Sequence, residues 1–291
     1  MKPLLFLPIA MLAIVFVDQL ASAGEVQVDR AVAYLPQDRP EKSDLYIPLD
    51  SGPPRPAIVI MHGGGWIGGE RNAHREVNLG MSLGGHGYVC LSIDYWCPDP
   101  TKTMVCCWPQ NIYDCKNAVR WLRANAKKYN IDADHIGAIG GSAGGHLAAM
   151  LAVTGPECGL DPLTPASEFS CQVQCAVDMY GPVDTENWID IKGLMKTRAD
   201  APELYQAFSV LSYVSREDPP LLILQGTNDP VVAVSQSEAL ARVLKKHGVT
   251  HHLEIIENAP HSFDLQPEQR DLRPQVFEFF DHWLQNPQRV R

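Results

Sequence analysis

Gly140-Gly141-Ser142-Ala143-Gly144 constrains this chain more than any other stretch, because of what flanks it. Residues 135–139 read as a short apolar strand, and residues 146–151 read as the helix that follows. A G-x-S-x-G at such a junction is a nucleophile elbow, a sharp turn that strains the serine and projects its Oγ into open space. Glycines on both sides leave room for strand and helix to fold back on each other, where any Cβ would collide. The helix N-terminus behind Ser142 also aims free N–H groups and partial positive charge at the place where an oxyanion would form. The bland reading is a glycine-rich turn with an incidental serine, which leaves the strand before it and the helix after it unexplained.

A second signal lies far upstream. Residues 57–61 form a continuous apolar run of strand length that ends in His62-Gly63-Gly64-Gly65-Trp66. Consecutive glycines after a strand let the backbone approach a ligand and present N–H groups to it, as an oxyanion loop does beside a serine elbow. The expected donors are the N–H groups of Gly64, Gly65 and Ala143, with Gly63 as a further one. His62 reads as a structural residue locking the loop rather than as an acid or base. A glycine loop can instead cradle phosphate, but neither G-K-[ST] nor G-x-G-x-x-G surrounds this one.

Residues 219–225 give another buried-strand pattern, closed by Gly226, and Asp229 follows in the loop ahead of an amphipathic helix at 235–247. Ligands of open α/β sheets bind at the carboxyl ends of strands, which is where a carboxylate that orients a histidine belongs. The next strand spans 251–256, and His261 lies in the loop after it. Asp94 and Asp178 also sit at strand ends and compete for the acid's role. Asp178 precedes Tyr180-Gly181-Pro182, which reads as a structural turn, so Asp229 is preferred. The chain order is then Ser142, Asp229, His261.

Four stretches together carry a family resemblance: His62–Trp66, Gly140–His146, the run Gln225-Gly226-Thr227-Asn228-Asp229-Pro230-Val231-Val232, and Ala259-Pro260-His261-Ser262-Phe263. In these the chain resembles α/β-hydrolases of the esterase/lipase type with an HGGGW loop. Within that group it is most similar to the bacterial carboxylesterases that include feruloyl and acetyl-xylan esterases. The resemblance covers about residues 25–285. It implies a Ser142–His261–Asp229 triad, hydrolysis of short-chain or carbohydrate-linked esters through an acyl-enzyme, and no cofactor or metal. Protonating His261 would remove the base, so turnover is expected to fall on acidification.

Strands and helices alternate from Ala57 onward, after an antiparallel start near residues 26–34 and 43–47. This pattern predicts an α/β fold, a mostly parallel eight-stranded sheet with helices on both faces. Helices are expected at 111–128 and 272–283. Residues 183–215 are too long for a simple crossover and read as a short cap insertion, with Trp188, Leu194, Met195, Tyr205 and Phe208 as pocket or packing residues. Trp66, Trp96 and Trp188 are the candidate substrate contacts, and Trp108 lies near the same face.

Residues 1–23 read as a secretory signal peptide: Met1-Lys2, an apolar run over 4–17, then Ala21-Ser22-Ala23 ahead of a cleavage site. Residues 24–291 follow as one catalytic domain, secreted or periplasmic, with no permanent membrane anchor. Eight cysteines suit an oxidising compartment, and local bridges such as Cys97–Cys106 and Cys158–Cys171 are expected. Cys90, Cys115 and Cys175 read as buried thiols. No C-x-x-C pair supports a zinc site. The formal charge of −10 argues against nucleic acid and anionic membrane as partners. Two other readings stay open: an arylformamidase-like amidase, which export disfavours, and a non-catalytic binding module on the hydrolase scaffold.

Overall fold

A computed structural model describes residues 24–162 and 168–285. The expected signal peptide at 1–23 lies outside the described residues. Eight strands form one sheet: β1 (Val26–Val32), β2 (Ser43–Pro48), β3 (Arg55–Met61), β4 (Val89–Ile93), β5 (Ile131–Gly141), β6 (Cys175–Met179), β7 (Leu221–Gly226) and β8 (His251–Ile256). Their spatial order is β1-β2-β4-β3-β5-β6-β7-β8. β2 is antiparallel to both β1 and β4, and every other pair is parallel.

The central strands are apolar on both faces because helices cover both. Val59 and Met61 face a core shared with α2 (Gln110–Ala124), α4 (Ala143–Val153) and α6 (Val234–His247). Ile58 and Ile60 point the other way, toward α1 (His74–His86) and the closing helix α7 (Arg273–Phe280). Between α2 and β5 lies a single turn, α3 (Ala126–Tyr129), and α5 (Pro202–Phe208) stands in the segment before β7.

The connectivity places the site. From β3 the chain steps sideways through α1 to β4, then returns through α2 to β5 on the other side of β3. The strand order therefore reverses between β3 and β5, which opens a crevice at their carboxyl ends. The loop of consecutive glycines leaves β3 and the elbow leaves β5, and the two strands are paired up to Met61↔Gly140. Two distant signals in the sequence thus become neighbours.

Several expectations change in detail. The helix expected over 111–128 breaks at Asn125, whose side-chain amide donates to Trp121 O at 2.9 Å and competes with the helical ladder. The closing helix ends at Phe280 and passes into one π turn over Asp281–Gln285. The 183–215 segment is thin, one short helix and two 3₁₀ turns, with Leu194, Tyr205 and Phe208 buried in the main core.

The expected bridges Cys97–Cys106 and Cys158–Cys171 are not formed; all eight cysteines are free. Each of these thiols is engaged elsewhere. Cys97 Sγ donates to Gly68 O at 3.7 Å, Cys106 Sγ accepts from Trp108 N at 3.4 Å, and Cys158 Sγ faces Val153 O at 3.9 Å. Cys171 Sγ donates to Asp161 Oδ1 at 3.6 Å. Among the described residues no helix is long and apolar enough to cross a membrane.

Candidate active site

Ser142 sits at φ 58°, ψ −122°, a region that non-glycine residues adopt only under strain of about 1–3 kcal/mol. The turn is held from both sides, by Ser142 N–H to Met179 O at 2.9 Å and by His146 N–H to Ser142 O at 3.0 Å. Gly144 is required because a Cβ there would lie 2.1 Å from Met61 O, where α4 presses against the end of β3. Gly64 has φ +117°, and its Cβ would fall 2.1 Å from Gly68 O, so the glycine loop closes tightly on itself.

His261 joins the two other sequence-derived residues. Its Nδ1 lies 2.6 Å from Asp229 Oδ2, and its Nε2 lies 3.0 Å from Ser142 Oγ. The Asp229 side chain is fully buried. Its Oδ1 accepts the N–H groups of Val231 at 2.8 Å and Val232 at 2.9 Å, which fixes the carboxylate in the loop after β7. Gln225 Nε2 reaches Oδ2 at 3.3 Å and also donates to Val232 O at 3.1 Å, while Ser237 Oγ donates to Gln225 Oε1 at 3.0 Å. Gln225 was not singled out from the sequence, although it belongs to the motif that contains Asp229. A carboxylate can only accept hydrogen bonds, so Nδ1 carries the proton and Nε2 is free to accept from Ser142 Oγ.

Gly64, Gly65 and Ala143 line a cavity of about 600 Å³ together with Ser142 and His261, a size that suits a small-molecule site. His62 is buried, which pushes its imidazole down to about 4, so it stays neutral. Its Nδ1–H donates to Gly63 O at 2.7 Å, its ring stacks on Tyr95 at 4.2 Å, and Tyr95 O–H donates to His62 O at 2.8 Å. The histidine thus locks the glycine loop.

The tryptophans separate. Trp188 lines the cavity. Trp66 also borders it but is only 2% exposed, with its ring edge-on to His146 at 5.1 Å and to Phe208 at 5.0 Å. Trp96 is not part of the cavity wall: its N–H bonds Asp114 Oδ2 at 2.8 Å and its Nε1 reaches Cys106 O at 3.4 Å. Trp108 packs edge-on against Phe208.

The competing carboxylates take other roles. Asp94 is paired with Arg71 at 2.5 Å. Asp178 is buried under the elbow, where its Oδ1 accepts Gly181 N–H at 2.8 Å and its Oδ2 has no hydrogen-bond partner among the described residues. Burial pushes its carboxyl up from 3.8 to about 7. With a folded value above the unfolded one, the unfolded chain loses this proton first as pH rises from about 4 to about 7, and stability falls across that window. Asp178→Asn removes the effect. Denaturant unfolding at pH 4.5 and pH 8 should show the variant gaining on the wild type by up to about 4 kcal/mol at the higher pH. Parallel pH slopes for the two proteins would contradict it.

Residues 43–244 match the model of the BD-FAE family. Esterase LipQ of Mycobacterium tuberculosis is 34% identical over 249 residues, 80% of this chain and 57% of LipQ. Esterase LipC of the same organism is 30% identical over 225 residues, 73% of this chain and 54% of LipC. The chain therefore spans a little over half the length of these curated relatives. A truncated carbohydrate esterase from gut microbiota shares the fold, with a TM-score of 0.80 at 24% identity over 91% of this chain and 99% of that one. An acetyl ester-xyloside bifunctional hydrolase from Caldicellulosiruptor lactoaceticus superimposes with a TM-score of 0.69 at 26% identity, covering 91% and 98%. Butyrate-bound esterase 2 of Thermogutta terrifontis gives 0.70 at 26%, covering 91% and 94%. The family model spans most of the sequence, the fold agrees with it, and the chain belongs to the BD-FAE family of α/β-hydrolase esterases.

Proposed function

We propose that this chain is a serine carboxylesterase that hydrolyses short-chain or carbohydrate-linked esters through an acyl-enzyme. One observation carries the reading: a single imidazole hydrogen-bonded at one nitrogen to the strained serine of the elbow and at the other to a buried carboxylate. In this reading His261 Nε2 takes the Ser142 proton as Oγ attacks the ester carbonyl. The N–H groups of Gly64, Gly65 and Ala143 donate hydrogen bonds to the developing oxyanion. Asp229 holds the tautomer and stabilises the imidazolium, and His261 returns the proton to the leaving alkoxide. Water then repeats the sequence on the acyl-enzyme. No cofactor enters.

The substrate class is argued from the cavity and the relatives. The cavity lining includes the polar side chains of Glu70, His74, Arg75 and Asp264 and the apolar ones of Trp188 and Val231. A lining that mixes polar groups with apolar side chains suits a sugar alcohol, whose hydroxyls hydrogen-bond while its C–H face packs. The relatives named as carbohydrate esterase and acetyl ester-xyloside hydrolase point the same way. The thin cap favours small acyl groups. Export is part of the proposal, supported by the apolar run over 4–17 and the Ala21-Ser22-Ala23 that follows it.

A panel of p-nitrophenyl esters from acetate to palmitate, run beside acetylated xylan, methyl ferulate and N-formylkynurenine, tests this. The expected result is a kcat/KM on the shortest esters at least about tenfold above that on palmitate, and acetate release from xylan. Cleavage of N-formylkynurenine alone would favour an amidase, and no cleavage of any member would favour a binding module.

A further inference from the structure

Arg75 lies on α1, an element that contributes nothing to the serine, histidine and carboxylate. Its side chain is 13% exposed and borders the cavity beside Ser142 and His261. Glu76 holds it from one side: Oε1 accepts Arg75 Nη2–H at 2.5 Å and Nε–H at 2.9 Å. On the other side Nη1 donates to Tyr180 Oη at 3.4 Å. The Tyr180 hydroxyl in turn donates to Phe263 O, in the loop that carries His261, and its ring meets the imidazole edge-on at 5.0 Å.

The guanidinium also fills the space that side chains would need at two glycines of the reacting loops. A Cβ at Gly63 would lie 2.9 Å from Arg75 Nη2 and 3.4 Å from Ser142 Cβ. A Cβ at Gly141 would lie 2.9 Å from Arg75 Cζ and 2.8 Å from Tyr180 Oη. One cation is thus in contact with the glycine loop, the elbow and, through Tyr180, the histidine loop. A Cβ at Gly63 would therefore be wedged between Arg75 Nη2 and Ser142 Cβ, with no room for it.

We propose that Arg75 is a positioning residue of this site, holding the three loops in register while its fixed charge beneath them favours the oxyanion over the neutral ester. The inference rests on the serine-esterase reading above. A charge buried near the reacting atoms interacts strongly with charge that develops only in the transition state, so it acts on kcat more than on KM. An apolar filler of similar length would restore packing but not this effect.

The test is steady-state kinetics on p-nitrophenyl acetate with Arg75→Met, Arg75→Lys and Ser142→Ala. Arg75→Met is expected to lower kcat about 10- to 100-fold with KM within about threefold, and Arg75→Lys to stay within about fivefold of wild type. If the orphaned Glu76 keeps Arg75→Met from folding, Arg75→Met/Glu76→Gln takes its place with the same expectation. The inference is overturned if the Met variant keeps kcat within twofold, or if Lys is as slow as Met. Turnover surviving in Ser142→Ala would instead overturn the esterase reading beneath it. An inactive Ser142→Ala beside a fully active Arg75→Met removes only the role given to Arg75.

Discussion

Ser142→Ala is expected to lower turnover of p-nitrophenyl acetate by about 10⁴- to 10⁶-fold, with thermal unfolding within a few degrees of the wild type. The substitution removes one oxygen. The main-chain bonds that hold the turn, Ser142 N–H to Met179 O and His146 N–H to Ser142 O, are untouched. Alanine meets the same backbone strain at φ 58° as serine does, so the elbow persists. What is lost is the hydroxyl bonded to His261 Nε2, the proposed nucleophile. Residual catalysis would come from main-chain donors acting on a water attack, which accounts for a floor above the uncatalysed rate. Turnover within tenfold of wild type, in a folded variant, would contradict this role.

The second large effect is expected from Asp229→Asn, a loss of about 10³- to 10⁴-fold in kcat. The reason is local and chemical. Two main-chain N–H groups, those of Val231 and Val232, already point at the Oδ1 position. An asparagine must place its carbonyl oxygen there, which turns its amide N–H₂ toward His261 Nδ1. Facing a donor, the imidazole moves its proton to Nε2, where it can no longer accept from Ser142 Oγ. Gln225 Nε2, 3.3 Å from the other carboxylate oxygen, adds a second donor facing the new amide. Asp178→Asn, by contrast, alters a carboxyl that bonds only Gly181 N–H beneath the elbow, and kcat should hold within a few-fold. Stopped-flow or steady-state rates for the two variants side by side decide which carboxylate acts on the histidine. A large loss in Asp178→Asn with little in Asp229→Asn would reverse the assignment.

The legible parts of the sequence were those where backbone geometry itself demands particular residue types. An elbow cannot be made without glycine at 144, nor the tight loop without glycine at 64, so both left a local signature. The strands were legible because burial on both faces writes a continuous apolar run, as at β3 and β7. Which strand-end carboxylate faces His261 was less so, since Asp178 and Asp229 look alike along the chain. The difference lies in register: Asp178 is a strand residue opposite Gly140 and Ile223, buried in the sheet, whereas Asp229 is in the loop beyond β7.

Arg75 gave no signal, and Tyr180 read only as part of a structural turn. They stand 105 positions apart, and their partnership exists only once β3, β5 and β6 lie side by side. The cysteines misled for the opposite reason. Their clustering along the chain suggested bridges, yet sequence proximity says nothing about where each thiol points, and each turns to a different partner. Trp96 shows the same limit: a loop position near the expected face became a wall of the core beside Asp114.

In the proposed mechanism Ser142 is made nucleophilic by His261. Brief exposure of the protein to a serine-directed organophosphate, followed by peptide mass mapping, tests it most directly. A single adduct on Ser142, appearing in step with loss of esterase activity and slowed by at least about a hundredfold in His261→Ala, is the predicted result. Activity lost with the adduct on any other residue, or an unmodified Ser142 in fully inhibited protein, would contradict it.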